Sequence, residues 1–241
     1  MFVVDCVLPY FSIPFLIAGI AYRLWRWFKI PLPLRIGLAP IPKTNSGILG
    51  SIIAEVFIFR TLFKSERSFW FVIWSFHIAG LLTIGNHLLG LVDGLIEAYS
   101  PDINTLQIKV ILFILGFVAW ILIGLLLYIL IRRFYKIKIR EMSFFTDYVA
   151  VILILGLVSA GAYMAFFTET DMVAVARWGT GLFTLTPETV DNPVFSIHFL
   201  FAQVLFIYFP FSKLFHPLGQ IASRMMTTKE EQLNPEGVAV K

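Results

Sequence analysis

The sequence predicts an all-α integral membrane protein, a bundle of five transmembrane helices with its N-terminus outside and its C-terminus in the cytoplasm. Of the 241 residues, 59% are hydrophobic and only 14% are charged, and the mean hydropathy is +0.84. Soluble domains contain about half apolar and about a quarter charged residues. A soluble enzyme, a disordered chain and a disulfide scaffold are therefore excluded. Because Cys6 is the single cysteine, a site built from clustered thiolates is excluded as well.

Five apolar stretches are long enough to cross a bilayer, which requires about 20 residues of α-helix. Each must be helical, because a chain in lipid has to satisfy its own backbone hydrogen bonds. The first stretch lacks a basic region and a cleavage site, so we interpret it as a retained helix and not as a signal peptide. The spans of this single membrane domain are expected at about residues 7–27, 69–92, 110–131, 148–167 and 194–216, with a cytoplasmic tail at 217–241.

The distribution of basic residues predicts the orientation of these spans. All but two of the 19 lysines and arginines lie at the end of the first span or between it and the second, between the third and fourth spans, or at the end of the fifth span and in the tail. Since basic residues accumulate on the cytoplasmic side, we expect a multi-pass protein of the inner (cytoplasmic) membrane with its N-terminus outside. The exceptions, Lys109 and Arg177, lie on the outer side among acidic residues. The net charge of +4 reflects this topology and indicates no nucleic-acid partner.

Two further segments are candidates for helices that do not cross the membrane. Residues 47–64 are apolar but carry Glu55, Arg60 and Lys64, which predicts an amphipathic helix along the inner interface. The same surface could instead dock a partner subunit. In the outer loop, residues 173–183 could form a similar cap over the outer end of the bundle.

All four histidines lie in the second and fifth predicted spans, at His77, His87, His198 and His216. These spans run in opposite directions, so His87 and His198 share the outer level, and His77 and His216 share the inner level. Ten residues of helix rise about 15 Å, whereas 18 residues rise about 27 Å in five whole turns. Both pairs can therefore meet only with tilted cofactor planes or a distorted helix.

Glycine in the second span offers room for such a distortion. A residue without a side chain also lets a flat macrocycle approach the backbone. The glycines concerned are Gly80, Gly85 and Gly90.

Two histidines that face each other across a helical bundle are the ligand set of a six-coordinate haem b. The chain lacks Cys-x-x-Cys-His, so covalent haem attachment is excluded. Two haems b at different depths would carry electrons across the bilayer. The alternative is a transporter whose histidines relay protons or bind a transition metal. No aspartate or glutamate lies deep inside the predicted spans, which weighs against that alternative.

These residues also resemble a known family, the cytochrome b (gamma) subunit of respiratory nitrate reductase with its relatives in sulfite-reductase-associated membrane complexes. The resemblance covers nearly the whole chain and is most specific in FHIAGLLTIGNHLLG (Phe76 to Gly90) and FPFSKLFH (Phe209 to His216). YRLWRW (Tyr22 to Trp27) and AEVFIFRTLFK (Ala54 to Lys64) are closer to the sulfur-metabolism branch.

The resemblance implies a function and a ligand set. His77 and His216 would hold the inner haem, and His87 and His198 the outer haem. A membrane quinone, menaquinone or another, would react near the outer haem. Electrons would pass to or from a cytoplasmic-side iron-sulfur subunit, with terminal chemistry on further catalytic subunits of a respiratory complex. A variant of this interpretation replaces a molybdoenzyme partner by an HdrD-like iron-sulfur protein.

A quinone site needs hydrogen-bond donors and a path for protons near the membrane edge. The candidates are Asn86, Gln107 and Lys109. The resemblance places Lys109 close to a lysine used near the quinol site of nitrate reductase gamma subunits, although Gln107 occupies that position in an ungapped register. Lys109 could alternatively be an ordinary helix-end anchor. Candidate cations for the haem propionates are Arg177, Lys213 and Arg132.

Overall fold

A computed structural model of the chain describes residues 1–29 and 44–221. Within these ranges it contains helices and no strand, so the prediction of an all-α protein is confirmed. The predicted tail from residue 222 onward and the basic residues Arg35 and Lys43 lie outside the described residues. The helices are α1 (Pro9–Lys29), α2 (Asn45–Val56), α3 (Arg60–Ser65), α4 (Arg67–Tyr99), α5 (Leu106–Tyr135), α6 (Ile137–Glu141), α7 (Phe145–Phe167), α8 (Met172–Thr184) and α9 (Pro193–Tyr208).

Short helical turns flank this set. A π-helical turn, Val3–Val7, precedes α1. Two 3-10 turns, Phe209–Phe211 and Lys213–Phe215, follow α9.

Four helices in the described residues are long and apolar enough to cross a membrane: α4, α5, α7 and α9 extended to Phe211. They correspond to the second to fifth predicted spans. Helix α1 has 21 residues but is not among the four. Arg23, Arg26 and Lys29 make its last two turns polar. Five spans and the sidedness of the termini therefore stay predictions.

Helix α4 is longer than predicted, with 33 residues instead of a span at about 69–92. It continues to Tyr99 and ends where Pro101 disfavours helical backbone at Ser100. Asp93 and Glu97, which we expected in an outer loop, are therefore helical. Asp93 is only 2% exposed. We name the ends of the bundle the Arg67 end and the Tyr99 end, after the first and last residues of α4.

The packing order explains how the bundle is built. Helix α4 packs along α5 and α8, α5 packs along α7, and α9 packs along α7 and α1. The buried apolar cluster lies between α4, α5 and α7 and consists of Ala79, Leu122, Leu126, Val151 and Val158. Helices α4 and α9 do not pack closely against each other in the described structure. A gap therefore separates the two elements that carry the histidines.

The segment predicted as one amphipathic helix, 47–64, is two helices, so that prediction is wrong in this respect. Phe59 adopts a left-handed conformation with φ of 52° and separates α2 from α3. The carboxylate of Glu55 accepts hydrogen bonds from the backbone N and the hydroxyl of Thr61, at 3.2 and 2.9 Å. These bonds stabilise the corner between the helices.

At the Arg67 end, Glu66 joins α4 to the end of α5. Its carboxylate accepts hydrogen bonds from Lys136 Nζ at 3.0 Å and from Arg132 Nη2 at 2.7 Å. These two donors hold the pKa of Glu66 below its usual value. The connection between α4 and α5 is therefore an ion pair as well as an apolar contact.

At the Tyr99 end, the N-terminal turn is held by α8 and α9. Trp178 Nε1 donates to the backbone oxygen of Asp5 at 2.8 Å, and Ser196 Oγ donates to its carboxylate at 2.8 Å. Gln203 Nε2 donates to Val4 O at 2.8 Å. Helix α8 therefore bridges α4 and the N-terminal turn across this end of the bundle, where a cap was expected.

We predict that Gly94→Ala destabilises the protein. An added methyl group would collide with the backbone carbonyl of Met172 and approach Ala176 Cβ to 3.1 Å, so α8 would have to move. The expected cost is about 1–3 kcal/mol, visible as a lower Tm of the detergent-solubilised protein. Gly124→Ala is the matched control, because nothing lies within 4 Å of its added Cβ. A Tm for Gly94→Ala that equals the control value would contradict this close packing.

Candidate functional site

The structure places the four histidines in two facing pairs at different heights. The ring centroids of His87 and His198 lie 5.7 Å apart, with 12° between the ring planes. Those of His77 and His216 lie 5.9 Å apart, with 84° between the planes. Helix α4 supplies one member of each pair, and α9 with its following turns supplies the other. The pairs span the gap between these two elements.

Of the two geometries expected, tilted cofactor planes or a distorted helix, the structure shows a helix break, and it lies in the fifth predicted span and not beside the glycines of the second. Helix α9 ends at Tyr208, and the two 3-10 turns carry the chain to His216. Eighteen residues of unbroken helix would have separated these histidines by about 27 Å, against about 15 Å between His77 and His87. Because the helix breaks, His216 can lie at the height of His77 while His198 lies at that of His87.

Proline and serine produce the break. Pro210 has no backbone N–H and cannot continue the α-helical hydrogen bonding. Ser212 is extended, with ψ of 173°, and its Oγ accepts a hydrogen bond from Leu214 N at 3.2 Å. Arg23 Nη1 of α1 donates to Pro210 O at 2.7 Å and to Ser212 O at 3.4 Å. The side chain of Ser212 within the turn and that of Arg23 on α1 therefore both hold the turn that positions His216.

Each of the four histidines is oriented by a hydrogen bond between Nδ1 and a backbone carbonyl. A carbonyl can only accept, so Nδ1 carries the proton and the Nε2 lone pair is left available. No hydrogen bond reaches any of the four Nε2 atoms from residues 1–29 or 44–221. The Nδ1 distances are 2.8 Å for His77 to Ile73, 2.7 Å for His87 to Thr83, 2.9 Å for His198 to Leu157 and 3.0 Å for His216 to Lys213.

This donor set fits the axial positions of a haem. Metal-ligating histidines usually donate their second ring nitrogen to a carbonyl or carboxylate, which fixes the tautomer and raises basicity. An imidazole nitrogen binds a metal ion at about 2.0 Å, so two rings on opposite sides of one ion have centroids about 6 Å apart. Both observed separations agree with that spacing. In the described part of the chain, no three His, Cys, Asp or Glu side chains could hold a metal ion. Each histidine pair supplies two protein ligands. This number would suit a metal ion whose other ligands are the nitrogens of a porphyrin.

Glycines shape the space around the pairs. A Cβ added at Gly80 or Gly85 would have nothing within 4 Å, so open space adjoins α4 between His77 and His87. Gly90, which we also expected beside a cofactor, instead lies against α8. A Cβ at Gly90 would be 3.1 Å from the Cε of Met172.

Gly161 of α7 is a functional residue that the sequence reasoning missed. A helical side chain covers the surface of the preceding turn, so residue 161 would cover the carbonyl of Leu157. A Cβ at Gly161 would lie 2.9 Å from His198 Cε1. The glycine therefore exposes the carbonyl that orients His198. Its sole sequence signal is a glycine inside an apolar helix.

Phe59 was also missed as part of the site. Its ring centroid lies 4.8 Å from that of His77, and Phe76 covers the same imidazole at 5.1 Å. The left-handed corner between α2 and α3 thus places the aromatic ring of Phe59 against the pair of His77 and His216 at the Arg67 end. Phe59 belongs to the AEVFIFRTLFK stretch that carried the family resemblance.

The three quinone candidates are not brought together in one cluster. Lys109 Nζ donates to Glu97 of α4 and forms an ion pair with it. Gln107 is exposed. Asn86 lies 11 residues before Glu97, about 16 Å away along α4. Its Oδ1 is buried and has no hydrogen-bond partner in the described residues.

Two of the three propionate candidates already have protein partners. Arg132 binds Glu66 and lies 3.5 Å from the ring centroid of Phe69. Lys213 Nζ donates to Asp147 Oδ2 at 2.8 Å. Arg177 of α8 is exposed and forms no ion pair with the described residues.

Comparison with known proteins gives one family and two relatives. The family model for the nitrate reductase gamma subunit matches residues 61–230. An "Hdr-like menaquinol oxidoreductase cytochrome b-like subunit" of Archaeoglobus fulgidus is 25% identical over 252 residues, covering 88% of this chain and 75% of the relative. The protein of the same description from Archaeoglobus profundus is 22% identical over 253 residues, covering 88% and 74%. No solved structure matches.

Gly161→Ala is expected to disturb one pair and spare the other. The added methyl group would push the His198 imidazole away from Leu157 O, whereas nothing changes at His77 and His216. In absorption spectra and redox titrations of the haem-loaded protein, we expect the component assigned to His87 and His198 to shift or disappear. Gly124→Ala serves as the control for a mid-helix methyl group. An unaltered titration of Gly161→Ala would show that Gly161 does not position His198.

Proposed function

Because this chain belongs to the nitrate reductase gamma subunit family, we propose that it is a di-haem cytochrome b subunit of a membrane-bound quinol oxidoreductase complex. It transfers electrons across the membrane between the quinone pool and a cytoplasmic-side iron-sulfur partner. The observation that carries the proposal is the set of two facing histidine pairs in which every Nδ1 is hydrogen-bonded to a backbone carbonyl and no Nε2 receives a hydrogen bond from the described residues.

The two pairs have distinct roles in this proposal. His77 and His216 hold one haem b near the Arg67 end, and His87 and His198 hold the other nearer the Tyr99 end. Haem b held by these histidines would supply reversible one-electron transfer. The chain's contribution is to orient four imidazoles across the gap between α4 and the segment that contains α9.

The quinol reacts at the Tyr99 end in this scheme, with Asn86, Gln107 and Lys109 as candidate contacts. The two archaeal relatives are named menaquinol oxidoreductase subunits, which favours menaquinol as the substrate class. The Arg67 end is rich in basic residues, so we assign it to the cytoplasmic side of the inner membrane. The partner iron-sulfur subunit and the further catalytic subunits of the complex then bind at that end.

The geometry favours this function over a histidine-based transporter. A protein site for a transition metal needs three or four ligands, and each pair offers two. Of the buried carboxylates in the described residues, Asp5 and Asp93 lie near the Tyr99 end, and Asp147, at the start of α7, is paired with Lys213 and Arg133. The described residues therefore place no carboxylate relay along the gap between α4 and α9.

Haem analysis of histidine variants tests the assignment. The purified protein from haem-replete cells is expected to contain two haems b per chain in a pyridine haemochrome assay. His87→Ala or His198→Ala should remove one haem, and His77→Ala or His216→Ala the other, because each pair holds one iron. Redox titration identifies which haem remains. A colourless protein would refute the proposal, and loss of the same haem in His87→Ala and His216→Ala would refute the pairing.

Replacement of Lys109 tests the location of the quinol site. We expect Lys109→Ala to retain both haems and to oxidise a quinol analogue more slowly, because the variant lacks the cation that Glu97 binds at this end. Lys138→Ala, an exposed lysine near the Arg67 end, is the matched control. If both variants turn over at the rate of the unaltered protein, Lys109 is an interfacial anchor.

A further inference from the structure

Asp93 is a buried carboxylate that neither haem ligation nor helix packing explains. The residue is 2% exposed, and its Oδ1 is buried without a hydrogen-bond partner in the described residues. Asp5, the other buried carboxylate near the Tyr99 end, also has an unpartnered Oδ1, but its Oδ2 accepts a hydrogen bond from Ser196. Neither oxygen of Asp93 accepts a hydrogen bond from the described residues. Leaving a carboxylate oxygen buried and unpaired costs free energy, so a structural role alone does not account for Asp93.

Asp93 belongs to a stripe of polar side chains on α4. Asn86, Asp93 and Glu97 follow at intervals of seven and four residues, which places them on one face of the helix. Asn86 adjoins the histidine His87 in sequence, and its Oδ1 is likewise buried and unpartnered. The stripe therefore runs from the height of the His87 and His198 pair to the end of α4, about 16 Å away.

This stripe is covered by α8 around Asp93 and is open to the surface at Glu97. Gly90 and Gly94, beside Asp93 on α4, allow Met172 of α8 to approach the helix closely. At the open end, the side chains of Glu97 and Lys109 are 31% and 49% exposed and form an ion pair. The stripe connects a buried acceptor with the protein surface.

We propose that Asp93 receives the protons released when quinol is oxidised beside the His87 and His198 pair, an inference that rests on the proposed function. Oxidation of one quinol to quinone releases two electrons, which leave through the proposed cytochrome pathway, and two protons. For each proton, a quinol O–H bond breaks and an O–H bond to an Asp93 carboxylate oxygen forms. The proton then leaves toward the surface past Glu97, and the Asp93 carboxylate is restored.

The test compares Asp93→Asn with the unaltered protein and with Asp102→Asn, an exposed carboxylate in the following loop. Haem content, reduction by dithionite and reduction by menadiol are measured on each. Asp93→Asn should keep both haems and full reduction by dithionite, whereas reduction by menadiol should slow by roughly 100-fold, the effect of removing a general base. Asp93→Glu should recover much of the rate, and Asp102→Asn should match the unaltered protein.

Infrared difference spectra of the unaltered protein give a second readout that does not depend on a variant. While menadiol is being oxidised, the spectra should show the band of a protonated aspartate carboxyl group, identified by ¹³C-aspartate labelling, and this band should disappear once the proton has left. This measurement decides the matter if Asp93→Asn fails to assemble. An unchanged menadiol rate in Asp93→Asn, or absence of the band, would overturn the assignment of Asp93. A haem-loaded unaltered protein that menadiol does not reduce would instead refute the quinol reaction itself, and the inference with it.

Discussion

Four backbone carbonyls occupy Nδ1 of the four histidines and leave Nε2 without a hydrogen bond from the described residues, and the rest of the site depends on that choice. His77 and His87 use carbonyls one turn earlier in their own helix, so α4 alone orients both. His198 uses Leu157 of α7, and His216 uses Lys213 of the 3-10 turn. The two sides of the gap are therefore built differently. On one side, both histidines are oriented by their own helix, α4. On the other side, the histidines are oriented only when α7 and the turn after α9 are in place.

The break after α9 and Gly161 of α7 both help to orient the histidines, in different ways. Pro210 and Ser212 shorten the path from His198 to His216, which matches the spacing of the histidines on α4. Gly161 opens a carbonyl that a larger side chain would cover. In both cases a local departure from a regular, fully covered helix allows two ring nitrogens to face each other across a gap that the helices do not fill.

The sequence was sufficient for the helical class and for the four long apolar helices, because apolar length alone identifies them. Counting depth along antiparallel helices also indicated the same histidine pairs that the structure brings together. It could not reveal that α4 extends to Tyr99. Nor could it reveal that Asp93 is buried, because that burial depends on where α8 packs. Nor could it reveal the left-handed Phe59 or the role of Gly161, which depend on contacts between residues distant in the chain. Pro210 was visible in the sequence, but the helix break at this residue was not, because proline only kinks some membrane helices.

The gap between α4 and α9 has a consequence for biogenesis. Each histidine-bearing element is held by a different neighbour, α4 by α5 and α9 by α7. The two halves are joined by the contact between α5 and α7 and by α8, which packs on α4 and places Trp178 against Phe195 and Phe199 of α9. The bundle can therefore pack before any prosthetic group arrives. On the proposed function, loading of the haems is a late step that adds a further link between α4 and the segment that contains α9, and a cell starved of haem would accumulate a packed, membrane-inserted precursor.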